Sequence, residues 1–299
     1  MYMNPFLQSI FEKRDKPIGE SSQKLYTRNL FKLNDSKEVT DLTFLKDMKH
    51  VLGIIQDYKP TTQRSFIISA CVVLKNSNEK LYQQYYELLT TMNNNLKVRT
   101  EKTETQEDNW MSQAEIEEKL KSLEVNKKIT NKKEYTQMLQ HLILSLYVLQ
   151  APRRNIDYCL MKLSNDMTDT NFNYLDLKNK RFIFNNYKTD HKYNTIEIPI
   201  EPDLMGVIQA YLKHHPQKNK LKNKKHDIHF LVWIDGEPIN KSGDITKILN
   251  KIFGRNIGSS MLRNIYLSSK YSGMMKSLKE DASHMGTSVD VAMNTYIKN

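Results

Sequence analysis

Four residues in this chain carry the side chains needed to cut and rejoin a phosphodiester without a metal ion: Arg154, Lys188, Arg263 and Tyr296. Breaking such a bond needs positive charge on the non-bridging oxygens, a proton donor for the departing oxygen and a positioned nucleophile. Two guanidiniums, one ammonium and one phenol supply those parts. Taken alone, each has a commoner role. An arginine near an aspartate is most often a surface pair, and a lysine in a turn is most often solvated. A tyrosine near a chain end usually packs, and a phenol with its ordinary pKa of about 10 is a poor nucleophile. Their order and local settings make the case for a common site.

Arg154 stands in Pro152-Arg153-Arg154-Asn155-Ile156-Asp157, just past an apolar helical stretch. Asp157, three positions on, shares a face with Arg154 if the chain recoils into a helix. Lys188 stands in Tyr187-Lys188-Thr189-Asp190, at the expected tip of a β-hairpin from which it can reach into a groove. Arg263 follows Ser259-Ser260-Met261-Leu262. Either serine is expected to cap a helix, so that helix N-terminus and guanidinium can hold one phosphate together. Tyr296 closes a segment that starts at His284 and runs through Gly286, Thr287 and Ser288. It is expected on a final helix, with Ala292 on the same face.

The elements that must position these residues read as mainly α with a small antiparallel β-sheet, an α+β fold. Residues 1–20 read as irregular, with Pro5, Pro17 and Gly19 as breakers. Residues 21–96 read as four helices, the first capped by Ser21-Ser22 and the third by Thr61-Thr62. Residues 97–110 are charged and polar and read as a linker. A second domain, 111–299, opens on Ser112 and Glu115, a capping-box pair. An apolar helix follows from Glu134 to Leu149, ended by Pro152. The hairpin comes from two alternating stretches, Asn173 to Phe184 and Thr195 to Ile200. Lys218 to Lys225 reads as a basic loop, and helices resume at Gly243.

A formal charge of +11 over 299 residues favours a polyanionic partner, most often nucleic acid. The positive residues are spread over both halves, which suits wrapping a duplex better than a single basic tail does. The longest apolar stretch, Leu142 to Leu149, is too short to span a bilayer. No basic-then-apolar leader opens the chain, so no signal peptide is expected. Cys71 and Cys159 are far apart among apolar neighbours, which argues against a disulfide framework or a zinc site. These features point to an intracellular protein with no expected cofactor or metal, neither secreted nor membrane-bound.

On these residues the sequence resembles the tyrosine recombinase and integrase family. The likeness covers about 21–95, similar to the family's core-binding domain, and about 111–299, similar to its catalytic domain. Arg154 and Asp157 match an Arg-x-x-acid segment. Tyr187-Lys188-Thr189 resembles the family's Thr-Lys-Thr hairpin. Ser260-Met261-Leu262-Arg263 resembles its His-x-Leu-Arg box. Met285-Gly286-Thr287-Ser288, with Tyr296 after it, resembles the Leu-Gly-His-Ser segment that leads to the nucleophile. The resemblance implies a C-shaped clamp on double-stranded DNA, a homotetramer on paired sites and a 3′-phosphotyrosyl intermediate. In it Tyr296 attacks, Arg154 and Arg263 clamp the phosphate, Lys188 protonates the leaving oxygen, and Asp157 orients Arg154 or its neighbours.

Two positions depart from the pattern. Ser260 stands where the family's box has histidine, and Thr287 where the later segment has histidine or tryptophan. Both can hydrogen-bond a phosphate oxygen, but neither is a cationic imidazole. His284, one turn before Thr287, is the candidate substitute. Such changes are similar to the divergent recombinases of eukaryotic DNA viruses and mobile elements. A type IB topoisomerase-like or telomere-resolving enzyme shares the residue set. A DNA-binding protein with a decayed site is the alternative from another class.

Overall fold

The computed structural model describes residues 4–97, 102–125, 129–189, 193–223 and 227–297. Asp190, part of the expected linker and part of the basic loop lie outside the described residues. The chain divides into two compact units, Met1–Lys102 and Thr103–Asn299.

The first unit is helical among the described residues: α1 (Pro5–Glu12), α2 (Glu20–Leu33), a 3-10 turn (Thr43–Lys46), α3 (Met48–Ile55), α4 (Pro60–Leu74) and α5 (Glu79–Lys97). Leu7, Phe11, Leu30, Leu33, Phe66, Ile67, Leu74 and Tyr85 are among its buried core. Two expectations are corrected here. Residues 1–20 are not irregular throughout, because α1 forms with Pro5 at its first position. There proline's missing N–H costs nothing, and the Asn4 side chain accepts from the Leu7 amide at 3.0 Å. The caps of α2 and α4 are Gly19 and Lys59 rather than the serine and threonine pairs.

The second unit opens with α6 (Glu104–Asn109) and α7 (Gln113–Ser122), each entered through a capping box. Thr103 with Gln106 therefore makes helix of a stretch that composition marked as linker. Ser112 with Glu115 caps α7 as its sequence requires. Then come α8 (Lys132–Val148), the four-residue α9 (Asn155–Tyr158), and strands β1 (Lys162–Ser164), β2 (Tyr174–Asp176), β3 (Arg181–Phe184) and β4 (Ile196–Pro199). α10 (Pro202–Leu212), β5 (Asp227–His229), α11 (Ser242–Phe253), α12 (Ser259–His284) and α13 (Val289–Val291) follow. A π turn, Ala292–Tyr296, ends the described elements.

The sheet order is β4-β3-β2-β1-β5. It is mixed rather than antiparallel, because β1 runs parallel to β2 while the other neighbours are antiparallel. Three-residue strands such as β1 and β5 are too short for alternation to reveal them. Tyr158, Phe182, Phe184, Phe230 and Tyr211 pack edge-on or tilted, joining sheet and helices in one core. α12 enters that core through Met261, Leu262 and Ile265, then leaves it, exposing Leu267, Tyr271 and Met274. No described helix is long and apolar enough to cross a membrane.

Candidate active site

α8 delivers the chain to the site. After Val148 the chain cannot continue helically into Pro152, and it restarts at α9 with Arg154 as the N-cap in extended conformation. The restart is pinned on both sides of Arg154. On one side, Asn155 accepts from Tyr147 Oη at 2.6 Å and donates to the Ser242 carbonyl at 3.0 Å and to Thr246 Oγ1 at 2.9 Å. On the other, Arg153 Nε donates to Asp157 Oδ2 at 2.9 Å, and its guanidinium lies 3.9 Å from the centre of the Phe184 ring and 5.1 Å from that of Tyr187.

Asp157 is therefore paired to Arg153, one full turn back, rather than to Arg154. Only 1% of its surface is exposed, and its second oxygen, Oδ1, has no hydrogen-bond partner. Burial pushes this carboxyl above its ordinary pKa, against the opposing pull of Arg153 and, less directly, Arg154. The i,i+4 spacing of Arg153 and Asp157 is the sequence signal that would have identified this pair.

An open cleft of about 350 Å³ is lined by Pro152, Arg153, Arg154, Asp157, Tyr187, Thr189, Tyr193, Ile196 and Arg263. It brings Arg154 together with Arg263, which α12 carries in its second turn. Both arginines are half-buried, and neither side chain has a hydrogen-bond or ion-pair partner among the described residues. Three guanidiniums thus face one carboxylate, and that carboxylate is already paired with Arg153. A cleft so charged favours an anion, and two planar forks suit the oxygens of a phosphate or carboxylate.

Lys188 lies between two cleft-lining residues, Tyr187 and Thr189, in the connection from β3 to β4. Its own side chain is exposed. The connection is closed at its base by Tyr187 Oη donating to the Asn194 carbonyl at 2.6 Å and Thr195 Oγ1 donating to Asn185 Oδ1 at 2.9 Å.

The remaining sequence-derived residues do not line the cleft. Ser260 is exposed at the second position of α12, whose N-cap is Gly258 and not a serine. His284 is the last residue of that helix, about six turns or roughly 30 Å beyond Arg263. There Gly286 takes a left-handed φ of 64° and ends the helix, with the Gly286 amide on the Ser283 carbonyl at 3.1 Å and the Thr287 amide on the Ala282 carbonyl at 2.9 Å. Ser288 starts the next turn by accepting from the Val291 amide at 3.2 Å. Thr287 is half-buried, and Tyr296, 58% exposed, ends the π turn. Among the described residues no group of three or more His, Cys, Asp or Glu side chains is arranged to hold a metal ion. Compared with known protein families, with curated proteins and with solved structures, this chain has no match.

Proposed function

We propose that this chain is a site-specific DNA recombinase of the tyrosine type, acting in integration, excision or resolution of a viral or mobile genome. The observation that carries the reading is the convergence of Arg154 and Arg263, both without a partner, in one cleft beside the Lys188 arm. In the proposed step the Tyr296 oxygen attacks phosphorus, and the bond from phosphorus to the 5′ oxygen breaks. That oxygen leaves with a proton from Lys188, and the phenolic proton passes to water, which reaches the exposed Tyr296. Arg154 and Arg263 hold the non-bridging oxygens as charge builds on them. Ser260 beside Arg263, and Thr287 and His284 in the tyrosine-bearing segment, are the remaining proposed donors. The phosphotyrosyl bond keeps the energy of the broken one, so a second DNA end reverses the step without ATP.

The proposed partner is double-stranded DNA, clamped by the two units and bound by a homotetramer on paired sites. Such a protein works where the DNA is, in a host nucleus, viral factory or cytoplasm. Most of the affinity comes from phosphate contacts and falls as salt rises. The test is a nicked suicide substrate from the flanks of the encoding element, whose cleaved strand diffuses away and traps the covalent complex. Wild type should form the complex and Tyr296→Phe should not. One observation favours a second reading, a DNA-binding protein without cleavage: Tyr296 is not among the cleft-lining residues. Duplex binding with no covalent complex from wild type would decide for it.

A further inference from the structure

We infer that Asn173 is a positioning residue of this site, fixing the root of the Lys188 arm against the turn that carries Arg154. The inference rests on the proposed strand-cleaving role of the cleft and extends it to a residue outside the Arg–Lys–Arg–Tyr set. Asn173 lies just before β2 and is only 5% exposed. Its Nδ2 donates to the Asp157 carbonyl at 2.8 Å and to the Asn186 carbonyl at 2.9 Å. Its Oδ1 accepts the backbone amides of Asn185 and Asn186, both at 2.9 Å. Both donors and both lone pairs of one amide are therefore used. Asp157 belongs to the turn that Arg154 opens, and Asn186 stands two residues before Lys188.

An aspartate of the same size has no donor, and a serine cannot reach partners on both sides, so the position calls for an amide. The neighbouring asparagines extend the same seam past the end of the β2–β3 pair. Asn185 Nδ2 donates to the Phe172 carbonyl and Asn186 Nδ2 to the Asn171 carbonyl, both at 2.9 Å. From the cleft side, Arg153 covers Phe184 and Tyr187. The arm is held at its root while the Lys188 side chain stays exposed. A proton donor must be placed to within about 0.5 Å of its productive position. Losing the Asn173 seam should therefore impair proton transfer to the leaving oxygen more than the grip of the arginines, which α9 and α12 hold separately.

That difference has a chemical signature. A 5′-bridging sulfur departs as a thiolate and takes no proton, whereas a 5′ oxygen requires one. The test uses the full chain in single turnover on nicked DNA with oxygen or sulfur at the scissile bridge. Asn173→Ala and Lys188→Ala should both slow cleavage of the oxygen substrate by about 100-fold, and both should return to within about threefold of wild type on sulfur. Arg154→Ala should stay slow on both. If Asn173→Ala slows the two substrates equally, or neither, the positioning role is overturned. If wild type cleaves neither, the strand-cleaving reading itself falls. Thermal unfolding reports whether the variant is folded. Should Asn173→Ala not fold, Asn173→Asp keeps an oxygen to accept the Asn185 and Asn186 amides, loses the donors, and is read the same way.

Discussion

Arg153 Nε and Asp157 Oδ2 stand 2.9 Å apart, and this contact occupies the cleft's carboxylate before Arg154 can. Arg154 and Arg263 are left as the charges open to an incoming anion. The pair also decides how the site responds to mutation and to pH. Asp157→Asn leaves Arg153 half-buried without a counter-charge, and should destabilise the second unit by about 3 kcal/mol in denaturant melts.

Arg153→Met removes the partner from the other side and keeps the stacking bulk over Phe184. Burial of Asp157 is then opposed only by the smaller pull of Arg154, so its folded pKa rises further above the unfolded value. A carboxyl raised in this way favours the folded state below its unfolded pKa, and that contribution is lost as pH rises through the folded pKa. The stability deficit of Arg153→Met relative to wild type should thus be smaller at pH 4.5 than at pH 7. An unchanged deficit across that range would show that Asp157 is not a buried anion in the variant.

The same residues separate what a local sequence pattern carries from what only tertiary contact assembles. Arg154 and Arg263 were legible because each sits in a short local motif, and the cleft brings both together. The Ser112–Glu115 box was legible because capping is local chemistry. The Thr103–Gln106 box was hidden by the charged composition around it, and α1 by a proline that reads as a breaker but serves as a first helical residue. Which neighbouring arginine holds Asp157 stays open in the sequence, since three- and four-residue spacings both fit a helix until the turn is built. Asn173 could not be singled out, because its four side-chain hydrogen bonds go to three residues in two other segments and only tertiary contact assembles them.

Acid should weaken the second unit before the first. His215 is fully buried, with Nδ1 accepting the Gln217 amide at 3.1 Å and Nε2 facing the His229 carbonyl at 3.1 Å, so the ring must be neutral with its proton on Nε2. Burial lowers the pKa of His215 and of His141 below the ordinary value. A lowered histidine pKa means that the unfolded chain binds the proton first. The associated stability is present above about pH 6.5 and is lost as pH falls through the folded pKa. The histidine of the first unit, His50, is exposed. Denaturant melts between pH 7.5 and 5 should show the second unit losing stability, with a shallower slope in His215→Asn. Equal slopes for that variant and wild type would exclude His215 as the titrating group.

The two cysteines supply one reporter per unit. Burial pushes the thiols of Cys71 and Cys159 each to about 11 from 9.0. The thiolate fraction at pH 8 is then about 100-fold below that of an exposed cysteine. Alkylation of native protein should be slow at both positions and become fast when the unit around each one unfolds. Mass spectrometry during a denaturant titration reads the two units separately. As pH rises from 9 toward 11, the folded state retains protons that the unfolded state releases, so both units lose stability over that window. Rapid labelling of native Cys159 at pH 8 would contradict its burial.

Two glycines, one within α12 and one just past its end, should respond to alanine with opposite signs. Gly273 lies within α12 with open space where a Cβ would stand. Gly273→Ala should stabilise that helix by about 0.5–1 kcal/mol, because glycine gives up more backbone freedom there. Gly286 has equally open surroundings but a φ of 64°, so alanine meets backbone strain rather than a clash. Gly286→Ala should cost about 1–2 kcal/mol locally and loosen the backbone hydrogen bonds that turn the chain toward Tyr296. Hydrogen exchange at the Thr287 amide should accelerate in Gly286→Ala and not in Gly273→Ala. On the nicked substrate, Gly286→Ala should lower the yield of covalent complex if the turn sets the approach of Tyr296. A Gly286→Ala protein with wild-type yield and fast Thr287 exchange would separate the cap from the presentation of the nucleophile.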